Sequence, residues 1–308
     1  MAHFADRLLE RMRARNTPLC VGLDPRWESL PEAIRKRHGC DSLAGVAAAY
    51  EQFCSRVLEL LAPLVAVVKP QAAFFEACGP AGFAALQRLL AQARELGLLT
   101  ILDAKRNDIA STATAYADAA FGGTTVEGRT HAVWAADALT INPYLGRDAV
   151  EPFLMRARQA EAGLFIVVRT SNAGAGLFQD LLVQSPDGQT RPLYQQVALA
   201  VADWNRENLG ACGLGDVGAV AGATYPAELA RLRELLPEVV FLVPGFGAQG
   251  GTVEDIRPAF RPDGSGVVVN SSRGVLFPFA PTASDWESRI VTATRQTIAA
   301  LAPLFGKS

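Results

Sequence analysis

In residues 97–112, GLLTILDAKRNDIAST, a continuous apolar run gives way within a few positions to Asp103, Lys105 and Asp108. Apolar character at consecutive positions, without the alternation of a half-exposed strand, marks a β-strand covered on both faces, as in a parallel sheet. Charged groups crowded at the exit of such a strand, with Arg106 among them, need water or one another. Strand exits are also where parallel α/β folds gather their chemistry.

The same kind of run recurs along the chain. LCVGL (19–23), VAVVK (65–69), LTILD (99–103) and ALTIN (138–142) are followed by LFIVV (164–168), VGAVA (217–221), VFLVP (240–244) and GVVVN (266–270). Between them lie segments with apolar residues at three- and four-residue spacing, among them LAGVAAAYEQFCSRVLELL, GFAALQRLLAQARELG, AVEPFLMRARQAEAG, YQQVALAVADWNREN and PAELARLRELL. Strand alternating with helix eight times predicts an α/β fold, a (β/α)8 TIM barrel, with residues 1–308 as one domain. A doubly wound open sheet uses the same elements, but eight units favour closure. SNAGAGLFQDLLVQSPDGQTRP (171–192) is expected as a long loop at the active-site face.

Composition narrows the class of function. Half of the 308 residues are hydrophobic and 19% are charged, enough apolar material for a large core. Lys plus Arg number 29 against 31 Asp plus Glu, which offers no broad basic field for nucleic acid or an acidic membrane. An anionic partner must therefore be held locally. No apolar run is long enough to span a bilayer. The opening MAHFADRLLERMRARN reads as an amphipathic helix of the fold rather than a cleaved signal. Five cysteines, an odd number with no C-x-x-C pair, fit a reducing cytoplasm.

At the strand exits polar residues accumulate: Asp24, Lys69, Asp103 with Lys105, then Thr170, Ser171 and Asn172, then Gln249 and Arg273. Each has an ordinary reading. Asp24 before Pro25 starts a turn, Lys69 snorkels, Asp108 caps the next helix and Arg273 lies on a wet surface. Taken together they read otherwise. In an extended segment Asp103 and Lys105 share a face, about 6.5 to 7 Å apart at Cα, and Lys69 on the neighbouring strand reaches the same region. Asp108 and Thr112, four apart, share a face at the start of the following helix. GFGAQG (245–250) matches G-x-G-x-x-G, but the strand that follows ends in Asn270 rather than the acid a dinucleotide site requires. Bare amides around one phosphate, with Gln249 donating and Arg273 as a charged clamp, are the preferred use of those glycines. The histidines, at 3, 38 and 131, lie away from strand exits and form no metal-binding pattern.

CVGLDP, KPQAAFFE, LDAKRNDIASTATAYA, NPYLGRD, VRTSN, PGFGAQGG and VNSSRG, in this order over most of the chain, resemble the orotidine 5′-phosphate decarboxylase family, in its longer bacterial (type 2) subgroup. Asn107 stands where that family commonly has glycine, a change that asparagine's tolerance of left-handed backbone makes harmless. The resemblance implies a Lys-Asp-Lys-Asp array of Lys69, Asp103, Lys105 and Asp108, a homodimer in which Asp108 and Thr112 reach the partner's site, and no metal or organic cofactor. It further implies Asp24, Lys69 and Asp108 on ribose hydroxyls, Ser171 on the pyrimidine amide, and Gln249 with Arg273 on phosphate. The implied reaction is loss of carbon dioxide from orotidine 5′-monophosphate to give uridine 5′-monophosphate, the last step of de novo pyrimidine synthesis. Lys105 would stabilise and protonate the C6 carbanion, and Asp103 would lie near the departing carboxylate. The alternatives are a magnesium-dependent sugar-phosphate decarboxylase or aldolase carrying the same D-x-K-x-x-D motif, and a silent nucleotide-binding barrel. Tyr144 and Arg147 of NPYLGRD are left without a role.

Overall fold

The computed structural model describes residues 3–247 and 250–306. Eight parallel strands close into a barrel: β1 (Leu19–Leu23), β2 (Val67–Pro70), β3 (Leu99–Arg106), β4 (Ala138–Ile141), β5 (Gly163–Arg169), β6 (Val217–Ala221), β7 (Phe241–Val243) and β8 (Val267–Ser271). Each strand pairs with its neighbours in sequence, and β1 closes the ring on β8 through Leu19, Cys20 and Val21 against Val269, Asn270 and Ser271. All eight expected strands are present, to within a few residues at their ends. They are mainly apolar because side chains of both parities are buried, one set inside the barrel and the other beneath the helices, and the charged residues gather at the strand ends. This is the TIM barrel architecture.

The barrel interior is packed at its lower end by Cys20, Val67, Ile101, Phe165 and Val268. The opening segment folds as helix Phe4–Arg15, whose buried residues Phe4, Leu8 and Met12 join the same cluster. Phe4 meets Phe165 edge to face, with ring centroids 6.3 Å apart, and a side chain at Gly163 would collide with the Phe4 ring. The end of the barrel at which the strands begin is thus stoppered.

Two features depart from expectation. The 171–192 segment has structure of its own: a short helix, Gly176–Gln179, and an antiparallel hairpin pairing Leu182–Gln184 with Thr190–Pro192. Arg169, at the end of β5, fastens it. Its buried guanidinium donates twice to Glu228, pairs with Asp180 at 3.1 Å, and lies over the Tyr225 ring at 4.7 Å. A second exposed hairpin, Thr124–Val126 with Arg129–His131, follows helix Ala110–Ala120. That helix begins two residues after Asp108, so Asp108 neither caps it nor shares its face with Thr112; its carboxylate accepts from the Ile109 amide instead.

Candidate active site

At the strand exits a cavity of about 330 Å³ opens into the barrel. Asp24, Lys69, Asp103, Lys105, Ser171 and Arg273 all line it. Its centre is the buried Asp103 carboxylate. Oδ2 accepts from Lys69 Nζ at 2.6 Å and Gln71 Nε2 at 3.2 Å; Oδ1 accepts from Lys105 Nζ at 2.7 Å and Thr140 Oγ1 at 2.9 Å. Four donors saturate the roughly four lone-pair sites of an ionised carboxylate. Burial raises the Asp103 pKa, but the two ammonium groups outweigh it and hold the carboxyl well below its ordinary range. Burial disfavours the charge on Lys69, yet Asp103 and Asp24 more than compensate and push its pKa up. Lys69 is enclosed, with 5% of its side chain exposed, whereas Lys105 keeps 46% of its side chain in solvent at the cavity mouth.

Asp103 and Lys105 do not meet as alternate residues of a flat strand. Along β2, β3 stays in register through Asp103, which bridges Gln71 as Leu99 pairs Val67. Along β4 the register slips: Leu102 faces Leu139 but Arg106 faces Ile141, four residues against two. This bulge turns Lys105 into the left-handed region at φ +48° and swings its ammonium back onto Asp103. The left-handed residues here are Lys105 and Ala110, not Asn107, so tolerance at 107 does not rest on left-handed backbone.

The other expected positions divide. Asp24 and Asn270 each present a buried side-chain oxygen, Oδ1 in both cases, that has no hydrogen-bond partner. Arg273, the residue after β8 and Ser272, reaches the cavity with no ion pair among the described residues. Asp108 and the exposed Thr112 do not line the cavity of their own chain. Gln249 lies outside the described residues. The glycine loop after β7 turns on left-handed Gly245, Gly247 and Gly250, and three of its described amides are already taken: Gly247 donates to Gly251 O, Gly250 to Gly247 O and Gly251 to Gly245 O. A four-residue helix, Val253–Ile256, follows it, too short for the dinucleotide arrangement, in which a phosphate sits on a long helix N-terminus.

The sequence reading missed Gln71, Thr140 and Asn270 in the wall. Gln71 carries a signal in hindsight, two residues after Lys69 in an extended segment; Thr140 looks like any β-branched strand residue. Among the described residues no group of three or more His, Cys, Asp or Glu side chains is arranged to hold a metal ion.

The sequence pattern of the family described as Orotidine 5′-phosphate decarboxylase / HUMPS family matches residues 17–278. The chain belongs to this family. The orotidine 5′-phosphate decarboxylase of Rhodopirellula baltica is 46% identical over 303 residues, covering 96% of this chain and 98% of its own. That of Caldicellulosiruptor bescii is 37% identical over 282 residues, 91% of each chain. The solved Leishmania donovani OMP decarboxylase superposes with a TM-score of 0.74 at 34% identity, 98% of both chains being covered. The Asp103 cluster therefore lies in a barrel of orotidine 5′-phosphate decarboxylase type.

Proposed function

We infer that this chain is an orotidine 5′-phosphate decarboxylase, a carboxy-lyase converting orotidine 5′-monophosphate to uridine 5′-monophosphate and carbon dioxide in pyrimidine biosynthesis. The observation that carries the reading is one buried carboxylate clamped between two lysines, in a cavity that also presents an arginine and unpaired acceptors. The C6–carboxyl bond breaks, its electron pair stays on C6, and a proton from Lys105 Nζ converts the carbanion to the C–H of the product. Lys105 acts on the charge as it develops, the kind of preorganised electrostatic stabilisation that lowers a barrier most. Its exposed flank gives the neutral amine a route to recover its proton from water. Asp103 supports that role by fixing the ammonium, and its own charge is kept by Lys69.

Asp24, with an unpaired acceptor oxygen, suits a ribose hydroxyl donor. Lys69 joins it, Ser171 takes the pyrimidine amide, and Arg273 with Gln249 takes the phosphate. Phosphate binding remote from C6 then contributes energy to aligning the reacting groups. Asp108 and Thr112, outside the cavity of their own chain, are offered to a partner, so the working unit is a homodimer of single-barrel chains. The magnesium-dependent alternative is disfavoured because a cation at Asp103 would have to displace ammonium groups from a saturated carboxylate. No helix among the described residues is long and apolar enough to cross a membrane. The five unpaired cysteines support a reducing cytoplasm. The test is the loss of orotidine 5′-monophosphate absorbance on adding purified protein in chelator. Turnover is expected; binding of uridine 5′-monophosphate without turnover would leave only a silent nucleotide-binding barrel.

A further inference from the structure

The β3 bulge raises a structural problem that one side chain solves. Where β3 slips against β4, the amides of Ala104 and Lys105 have no ladder carbonyl opposite them. Both donate instead to Thr140 Oγ1, at 3.0 and 2.9 Å, and the same hydroxyl donates its own proton to Asp103 Oδ1 at 2.9 Å. A hydroxyl has two lone pairs and one proton, and all three are used. The ladder recovers one step later, where the Asn142 amide donates to Arg106 O. Thr140 is 1% exposed, and its β-branched side chain is confined to few rotamers, so the oxygen is held rigidly.

We propose that Thr140 is a positioning residue for the decarboxylation: its hydroxyl fixes the bulge that aims the Lys105 ammonium at C6 and at Asp103. The proposal rests on the functional reading above. A left-handed lysine persists only where its surroundings over-determine it, and here the lysine's own amide and the carboxylate bound by its ammonium converge on one hydroxyl oxygen. No other described side chain bonds to the Ala104 or Lys105 amide. An apolar isostere would leave two amides and one carboxylate lone pair unpaired, and the bulge would be free to relax toward regular pairing. Lys105 would then lose its aim while the nucleotide's phosphate and ribose contacts stayed in place.

The test uses Thr140→Val, Thr140→Ser and, in case the valine variant does not fold, Thr140→Cys, whose thiol is a weak donor and acceptor of similar size. Thr140→Val is expected to lower kcat by about 100-fold, as misplacement of a reacting group by an ångström does, with KM little changed. Thr140→Ser should restore kcat to within an order of magnitude, with cysteine between serine and valine. Exchange of the C6 hydrogen of uridine 5′-monophosphate for deuterium, followed by NMR, should fall in step with kcat, because it reports the Lys105 proton transfer alone. Unchanged kcat in Thr140→Val, a rise in KM alone, or failure of serine to rescue would each overturn the proposal. Absence of turnover in the wild type would overturn the functional reading instead. The positioning claim would then be decided by a crystal structure of Thr140→Val or Thr140→Cys, which refutes it if Lys105 Nζ still touches Asp103 Oδ1.

Discussion

At the scale of single residues the site is an exercise in keeping charge where water is scarce. Asp103 is ionised because two ammonium groups, a hydroxyl and an amide converge on it, and Lys69 is charged in the interior because Asp103 and Asp24 face it. Lys105 differs in being half in solvent, which suits the proton donor proposed for it. Lys105→Ala is therefore expected to lower kcat on the order of 10³-fold, within the range for losing a positioned acid, while calorimetry finds uridine 5′-monophosphate binding nearly intact. An unchanged kcat would remove Lys105 from the chemistry. The sequence announces all three of these residues, since charged groups at the end of a buried strand stand out against their surroundings. It does not announce how they meet. A two-residue spacing implies a shared face only if the backbone is extended, and here it is bulged, with Lys105 at φ +48°.

At the scale of elements, the strands are legible because burial on both faces leaves few polar positions to confuse the pattern. Helix Ala110–Ala120, ASTATAYADAA, is expected from Asp108 onward but starts two residues later, because alanine and threonine give a weak apolar stripe that leaves its start poorly marked. The Gly and Pro of the inserted segment predict a loop, yet Arg169 gives it an anchor. Gln179 of its short helix accepts from the Thr170 amide at 3.0 Å and from Arg169, tying the insertion to the cavity rim. Thr170 in turn donates to Asn172 at 2.6 Å, so the rim and the insertion form one hydrogen-bonded unit. Arg169→Met removes one side of a buried ion pair. Since Glu228 retains some solvent access, the expected loss lies toward the lower end of the roughly 3–5 kcal/mol such breaks cost. Urea unfolding measures it, and limited proteolysis should cut within 171–192 before the barrel. Wild-type resistance there would show that the segment holds itself.

At the scale of the whole molecule, the electrostatics of the site and the assembly become measurable. Asp103 has a depressed pKa, so its contribution to stability is complete above the unfolded value of about 3.9 and is lost as pH falls below it toward the folded value. Lys69 runs the other way: its raised pKa keeps its contribution intact up to about 10.4, the unfolded value, and loses it only above. Wild-type protein should thus lose stability to urea more steeply than Asp103→Asn on acidification from pH 5 to pH 3, and equal slopes would contradict the assignment. For the proposed dimer, mixing equal amounts of inactive Lys105→Ala and Asp108→Ala subunits should recover about a quarter of wild-type activity, half the dimers being mixed and each holding one intact site. No recovery after verified exchange would mean that the sites are not shared. The stopper of Phe4 against Phe165 has its own result for traffic through the molecule. With that end filled among the described residues, gas and nucleotide share the one neck beside Lys105, so both products leave through the opening by which the substrate came.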